Sequence, residues 1–308
     1  MTKMKVGYVA LIGRPNVGKS TLLNKMLGQK VAITSDKPQT TRISILGIKT
    51  TQKGQIIFVD NPGIHKPLHN LNKRMMSFVY SALETSNLIN LLIDVTLKFG
   101  HGDEFVLETL KNISTPIFLL INKVDIVKKE KILLLIDKYK DLLNFKEIIP
   151  ISALKGTNLD ILEDLTYDNL PEAQKIFSDD EISDQSQRFL FSEIVREKVL
   201  SHVKQELPFV TAVYMDRLED EIKDSSPNAL SGNKKQVQYI NATIFVEKET
   251  HRRIVIGKQG RLIKTIGTQA RQELEQILGK RVYLDLWVKV KENWRDSPDV
   301  LDLIESQK

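Results

Sequence analysis

The sequence predicts an α/β fold, a mostly parallel sheet with helices on both faces, followed by a smaller α+β unit. The chain has 308 residues, room for about two domains at roughly 150 residues each. Residues 1–170 alternate short, continuously apolar runs with amphipathic helical patterns. Strands buried on both faces by crossover helices read this way. After Leu170-Pro171 the alternation stops, and a different order of helices and strands begins.

In the first unit, strands are predicted at Val6–Ile12, Ile43–Ile48, Gln55–Val59, Leu88–Asp94, Ile117–Asn122 and Glu147–Ile151. Helical spacing falls between them at Lys19–Leu27, Leu71–Ser86, Gly102–Lys111, Glu130–Leu143 and Asn158–Leu170. Ligands of such sheets bind at the carboxyl ends of the strands, so the residues just past each strand carry the functional information. The polar stretch Phe177–Gln185 reads as a linker. A helix from Gln187 to Gln205, with a capping box from Asp184 to Gln187, opens the second unit. Strands at Phe209–Asp216 and Tyr239–Val246 flank a polar insert at Leu218–Gln236, expected to be a mobile loop. A helix reaching Leu278 and a strand at Arg281–Val290 complete the unit. The predicted boundaries are 1–172, a linker at 173–186, 187–296 with the insert at about 218–236, and a tail at 297–308.

Composition narrows the chemistry. Hydrophobic residues at 41% and charged residues at 27% are ordinary for a globular chain. The absence of cysteine excludes disulfides, thiol catalysis and cysteine-bound zinc or iron–sulfur clusters. Five scattered histidines argue against a catalytic transition metal. No apolar run reaches the roughly 18–20 residues of a membrane span, and the start of the chain does not read as a signal peptide. A cytoplasmic protein is expected. The net charge is 45 − 39 = +6. Within Lys248–Lys264, the six bases Lys248, Arg252, Arg253, Lys258, Arg261 and Lys264 accompany one acid, Glu249, a local patch suited to a polyanion.

Gly13-Arg14-Pro15-Asn16-Val17-Gly18-Lys19-Ser20, directly after the first strand and followed by Thr21, matches the G-x-x-x-x-G-K-[ST] loop that cradles phosphates. Backbone N–H groups converge on phosphate oxygens at the start of a helix. Lys19 neutralises the β- and γ-phosphates and the Ser20 hydroxyl ligates Mg²⁺. Asp60-Asn61-Pro62-Gly63 follows another strand, where Asp60 holds Mg²⁺ through water and the Gly63 N–H reaches the γ-phosphate. Pro38-Gln39-Thr40-Thr41-Arg42 supplies hydroxyls that fold over the metal only while the γ-phosphate is present. Which of Thr40 and Thr41 reaches the metal stays open at this level, and Thr41 is taken as the ligand. Lys19, Thr41 and Gly63 are the expected catalytic groups. Asn122-Lys123-Val124-Asp125 ends a further strand. The Asp125 carboxylate accepts from guanine N1–H and the 2-amino group, neither of which adenine offers. Asn122 would tie loops together, the Lys123 stem would lie along the ring, and Ser152-Ala153-Leu154 would present an N–H to guanine O6. In this order the motifs indicate GTP.

Together, Gly13–Ser20, Gln39–Arg42, Asp60–Gly63, Asn122–Asp125 and Ser152–Ala153 resemble the five G motifs of translation-factor-class small GTPases. The Arg-Pro-Asn of the phosphate loop resembles the TrmE–Era branch. The resemblance implies an α/β P-loop GTPase domain with Mg²⁺ as cofactor. Asn61 departs from the branch, which usually has Thr there. Ile64 stands where Ras-like proteins carry a water-orienting Gln, so slow intrinsic hydrolysis is expected, with attack arranged by backbone, metal ions or a partner. Asn16 resembles the residue that helps hold K⁺ near the phosphates.

Gly257-Lys258-Gln259-Gly260 matches the G-x-x-G clamp of KH domains on single-stranded RNA. The apolar Ile254-Val255-Ile256 before it, the helix after it and the element order fit a type II KH domain. The expected RNA contacts are Arg252, Arg253, Ile256, Gly257, Lys258, Gln259, Gly260, Arg261 and Lys264. Trp287 and Trp294 are expected in core and domain-cover roles rather than as base-stacking platforms. Across both units the chain is similar to the Era family. That similarity implies a GTP/GDP switch that binds 16S ribosomal RNA near its 3′ end and assists assembly of the 30S subunit. It also implies peripheral contact with the inner face of the membrane. A monomer is expected. A second reading makes the basic module an adaptor for protein or anionic membrane, whereas an ATP-dependent enzyme is set aside by Asn122–Asp125.

Overall fold

A computed structural model describes residues 4–223 and 235–308, and the chain divides into two compact units between Asp184 and Gln185. In the first unit the elements run β1 (Met4–Gly13), α1 (Lys19–Leu27), β2 (Ile45–Thr50), β3 (Gly54–Asp60), α2 (Asn70–Thr85), β4 (Leu88–Asp94), α3 (His101–Leu110), β5 (Ile117–Asn122), α4 (Lys129–Tyr139), β6 (Glu147–Pro150), α5 (Leu159–Asn169) and β7 (Glu172–Ala173). The strand order is β2-β3-β1-β4-β5-β6. The β1, β3, β4, β5 and β6 neighbours pair in parallel, and β2 alone on this path runs antiparallel to its neighbour.

Every residue of β3, β4 and β5 is buried, because helices cover both faces of the sheet, as the continuous apolar runs require. One core gathers Ile12, Ile89, Leu91, Ile93, Leu119 and Ile121 from the strands with Val79, Leu83, Val106 and Leu110 from α2 and α3. The predicted elements all form in the predicted order with shifted ends. The largest shift is in α4, which stops at Tyr139 rather than Leu143.

Residues 173–184 do not hang between the units. β7 pairs antiparallel with Met4 and Lys5. The buried Gln55 side chain accepts from the Ile176 and Phe177 N–H groups and donates to Phe177 O. Further on, Ile48 N donates to Ile182 O and Leu46 N to Asp184 Oδ1. The polar composition that suggested a linker supplies the groups that strap this segment along the free edge of β2. Asp184 is thereby engaged by β2, and the predicted capping box does not form. Ser186 caps the next helix instead, its Oγ accepting from Phe189 N.

In the second unit the elements are α6 (Gln187–His202), β8 (Ala212–Lys223), β9 (Lys235–Val246), α7 (Glu249–Ile256), α8 (Arg261–Leu278), β10 (Arg281–Val290) and α9 (Pro298–Glu305). The sheet order is β10-β9-β8, with β9 and β10 parallel and β8 antiparallel to β9. Ile266, Ala270 and Leu274 recur every four residues along α8 and bury one stripe. They pack with Ile194, Val195 and Val199 of α6 on Ile240, Ala242 and Ile244 of β9. The predicted insert at 218–236 is a strand at both ends, because β8 and β9 continue their pairing as far as Lys223 with Lys235. Its central residues 224–234 lie outside the described residues. The predicted tail contains α9, whose Val300 and Leu301 are buried. Gln307 accepts from Met215 N at 2.6 Å, and Ser186 donates to Gln307 O.

Candidate functional site

The phosphate loop leaves β1 at Gly13 and enters α1 at Lys19. Gly18 has φ 104°, and a Cβ there would lie 2.3 Å from Asn122 Nδ2. The loop therefore closes onto the base motif only with glycine at this position. Beside it opens a cleft of about 510 Å³ lined by Pro15, Asn16, Gly18, Lys19, Ser20, Thr21, Gln39, Thr40, Thr41, Gly63 and Lys123.

At one end of the cleft three oxygens converge. Ser20 Oγ donates to Asp60 Oδ2 at 2.6 Å and lies 3.0 Å from Thr41 Oγ1, while Thr41 Oγ1 donates to Asp60 Oδ2 at 3.3 Å. The Thr40 hydroxyl turns back to Lys37 O. Of the two threonines, Thr41 rather than Thr40 thus faces the Asp60 carboxylate. Asp60 Oδ1 is buried without a hydrogen-bond partner among the described residues. Burial pushes Asp60 up to about 6, against the hydrogen bonds of Ser20 and Thr41 and the charge of Lys19. Lys19 Nζ donates to Gly13 O and Arg14 O. Burial pushes it down to about 8, with the Asp60 charge opposing. An unsatisfied buried carboxylate oxygen and two hydroxyls form a hard-oxygen donor set that fits Mg²⁺.

The loop after β3 is fastened to the phosphate loop, since Ile64 N donates to Gly13 O at 3.0 Å. The Ile64 side chain is buried in the core, so it presents nothing to an attacking water. Asn61 points away from the cleft: its Nδ2 donates to Val59 O and its Oδ1 accepts from Ser44 Oγ. This explains how the departure from Thr is accommodated. Neither Asn61 nor Pro62 lines the cleft, and Arg14 and Val17 do not line it either.

The base motif is a relay between loops. Asn122 donates to Val17 O and accepts from Ala153 N. The Ala153 N–H is therefore engaged by Asn122 in this arrangement. Ser152 Oγ donates to Asp125 Oδ1 at 2.6 Å and so aims the carboxylate. Leu154 is exposed. Lys123 Nζ reaches Asn16 O at 3.1 Å and Asp94 Oδ2 at 2.5 Å. Sequence reasoning missed Asp94, Leu97 and the segment 33–36, all of which line the cleft. Asp94 ends β4, where the rule about strand ends pointed. Burial pushes Asp94 up, yet its bonds to Lys123 and Thr96 outweigh this and hold it below the usual carboxylate range. Asn16 Nδ2 donates to Asp36 O at 2.5 Å, joining the phosphate loop to the segment before Thr41.

In the second unit the G-x-x-G loop separates α7 from α8. Gly257 has φ 74°, and a Cβ there would lie 2.7 Å from that of Leu262, so a side chain at this turn would push the two helices apart. Arg252, Arg253, Lys258, Gln259, Arg261 and Lys264 are exposed around it, and Ile256 is half-buried. A groove of about 270 Å³ continues from Lys264 along Ile263, Gly267, Thr268 and Arg271 of α8 to Leu284 and Leu286 of β10. Apart from Lys264, these groove residues escaped the sequence reading because they alternate with core positions of the same helix and strand. Trp294 is fully buried and donates to Val210 O, as expected. Trp287 is 58% exposed, so it is not in the core: its position in β10 faces away from Leu286 and Val288.

Among the described residues no helix is long and apolar enough to cross a membrane. The family model for 50S ribosome-binding GTPase matches residues 8–123, and a KH domain model matches residues 221–295. GTPase Era of Staphylococcus haemolyticus (strain JCSC1435) is 45% identical over 296 residues, 96% of this chain and 95% of that protein. A crystal structure of an Aquifex aeolicus Era variant bound to GDP.AlF4- is 42% identical, with TM-score 0.89 over 98% of this chain and 99% of that one. A second, of Era in complex with MgGDPNP and nucleotides 1506–1542 of 16S ribosomal RNA, is also 42% identical, with TM-score 0.88 over 98% of each chain. Sequence motifs, fold and full-length similarity agree: the chain belongs to the Era family of GTPases.

Proposed function

We propose that this GTPase is a nucleotide-dependent switch that binds the 3′ end of small-subunit ribosomal RNA through its KH unit and assists 30S assembly. The observation that carries the reading is the full-length similarity to an Era solved with both MgGDPNP and a 16S fragment. The two sites on this chain support it, one with a phosphate cleft and a guanine-directed carboxylate, the other with a basic G-x-x-G loop.

In this reading Gly13–Thr21 cradles the phosphates, and Lys19, Thr41 and Gly63 act at the γ-phosphate. Ser20 and Thr41 hold Mg²⁺ directly and Asp60 through water. The bound metal supplies positive charge where the leaving phosphates gain negative charge. Asn122, Lys123, Asp125 and Ser152–Leu154 form the base pocket, with Asp125 aimed by Ser152. Asp125→Asn is expected to shift preference from guanine to xanthine nucleotides, and unchanged GTP affinity would overturn the assignment. Asn16 helps hold K⁺, so hydrolysis runs faster in K⁺ than in Na⁺, and equal rates remove that role. The protein works as a monomer in the cytoplasm, with peripheral contact to the inner membrane face.

The joint test measures affinity for a 16S 3′-end oligonucleotide with GDP and with a non-hydrolysable GTP analogue. A severalfold difference is expected, since a ligand shifts an equilibrium only through unequal affinity for its two states. Equal affinities would leave two independent binding modules. Gly257→Asp and Lys258→Asp should abolish RNA binding, and its survival in both variants would favour a protein or membrane adaptor.

A further inference from the structure

Arg14 lies inside the phosphate-loop motif, yet its side chain leaves the cleft. Nη1 donates to Asp103 Oδ2 at 2.8 Å. Asp103 is buried in the first turn of α3, and the same oxygen accepts from Gly100 N at 3.0 Å. Tyr139, buried at the end of α4, lines the same small cavity as Arg14 and Asp103; burial, and after it the Asp103 charge, hold its hydroxyl protonated. Helix α3 leaves room for the guanidinium at Gly102, where a Cβ would lie 2.7 Å from Arg14 Nε. The backbone carbonyl of Arg14 accepts from Lys19 Nζ at 3.0 Å. A continuous chain of contacts therefore runs from the first turn of α3 through Arg14 to Lys19.

We propose that Asp103, flanked by Tyr139, is a positioning residue of the GTPase site, acting through Arg14 to hold the start of the phosphate loop and the Lys19 ammonium in place. The inference rests on the GTPase reading of the cleft. The physical reason is leverage. An ion pair with one partner buried fixes a side chain more firmly than a solvated one, and a displacement of about 1 Å at a reacting group can cost up to about a hundredfold in rate.

The test compares Asp103→Asn, Arg14→Gln, the double variant and Tyr139→Phe in the full chain. Readouts are kcat, KM, affinity for fluorescent GDP, and Tm. Asparagine at 103 keeps one side-chain oxygen that can accept from the Gly100 N–H, the role an N3 side chain plays in a capping box, and removes the charge and the second acceptor oxygen that hold Arg14. Each single change at 14 or 103 is expected to lower kcat about tenfold, with GDP affinity changed less than threefold. The double variant should be no worse than either, because both changes break the same link. Tyr139→Phe should lower kcat in the parent and have no further effect on Asp103→Asn. Losses that add in the double variant, or a kcat within twofold of the parent alongside a lowered Tm, would overturn the proposal. A parent chain that hydrolyses no GTP would instead sink the reading beneath it.

Discussion

Lys19 and Asp60 show how burial prepares a residue for a ligand. Asp60 holds its proton more tightly in the folded chain than in the unfolded one, up to about 6 from an ordinary 3.8. Between those pH values the folded state carries the extra proton. The group's stabilisation is therefore complete below about pH 3.8 and is lost as pH rises through about 6. At pH 7.5 the buried carboxylate opposes folding, by about 3 kcal/mol for a net shift near two units in which the Lys19 charge is already counted. Asp60→Asn is expected to stabilise the ligand-free chain by about 1–2 kcal/mol at pH 7.5 and by about half as much at pH 5, while abolishing Mg²⁺-dependent GTP hydrolysis. Thermal melts of both proteins at the two pH values check this, and an equal difference at both would show that Asp60 is not the titrating group. That Lys19, Ser20 and Asp60 meet at one cleft was legible in the sequence because each sits in a short contiguous motif. The choice of Thr41 over Thr40 was not, since it depends on which hydroxyl faces a carboxylate from β3.

Strands and helices were similarly readable wherever the pattern was repetitive. β4 and β5 are uninterrupted apolar runs, and α8 carries its buried stripe at a spacing of four. The strap at 173–184 was not readable. Its anchor is a glutamine in β3, and nothing in the local pattern says that a side chain there will bond backbone more than 120 residues later. Gln55→Ala removes partners from three backbone groups at once, a loss of about 2–4 kcal/mol. The expected result is rapid proteolytic cleavage at Lys175, ahead of global unfolding and without loss of guanine-nucleotide binding. Cleavage at Lys175 no faster than in the parent would show that β2 holds the strap unaided. The second unit's hairpin teaches a related lesson. Its polar residues suggested a loop at 218–236, yet β8 and β9 pair as far as Lys223 and Lys235, because an antiparallel ladder satisfies its backbone whatever its outward side chains are.

Across the whole molecule, the order of the motifs and the change of pattern after Pro171 announced two units with different chemistry. From sequence alone the second unit is expected to end at residue 296, with 297–308 a tail; eight helical residues alone do not hold a helix in water. In the structure α9 buries Val300 and Leu301, and Gln307 bonds the backbone of β8. Ending the chain at Ser297 is expected to cost about 3–5 kcal/mol, from two lost apolar anchors and one lost buried amide. The loss should fall on the RNA-binding unit, with GTP hydrolysis within twofold of the parent. Parallel melting, RNA-binding and hydrolysis assays decide it, and a truncated chain with parental melting would show the helix to be dispensable.

By itself the sequence determined the chemistry offered by each loop and the kind of element that presents it. Motif spacing and apolar periodicity act over a few residues, where the covalent chain alone dictates which groups can meet. Only the tertiary structure decided which hydroxyl joins Asp60, where Arg14 is anchored, what lies along the edge of β2 and whether Trp287 meets solvent. Those outcomes depend on groups from distant segments finding partners once water is excluded, and local sequence carries no record of that choice.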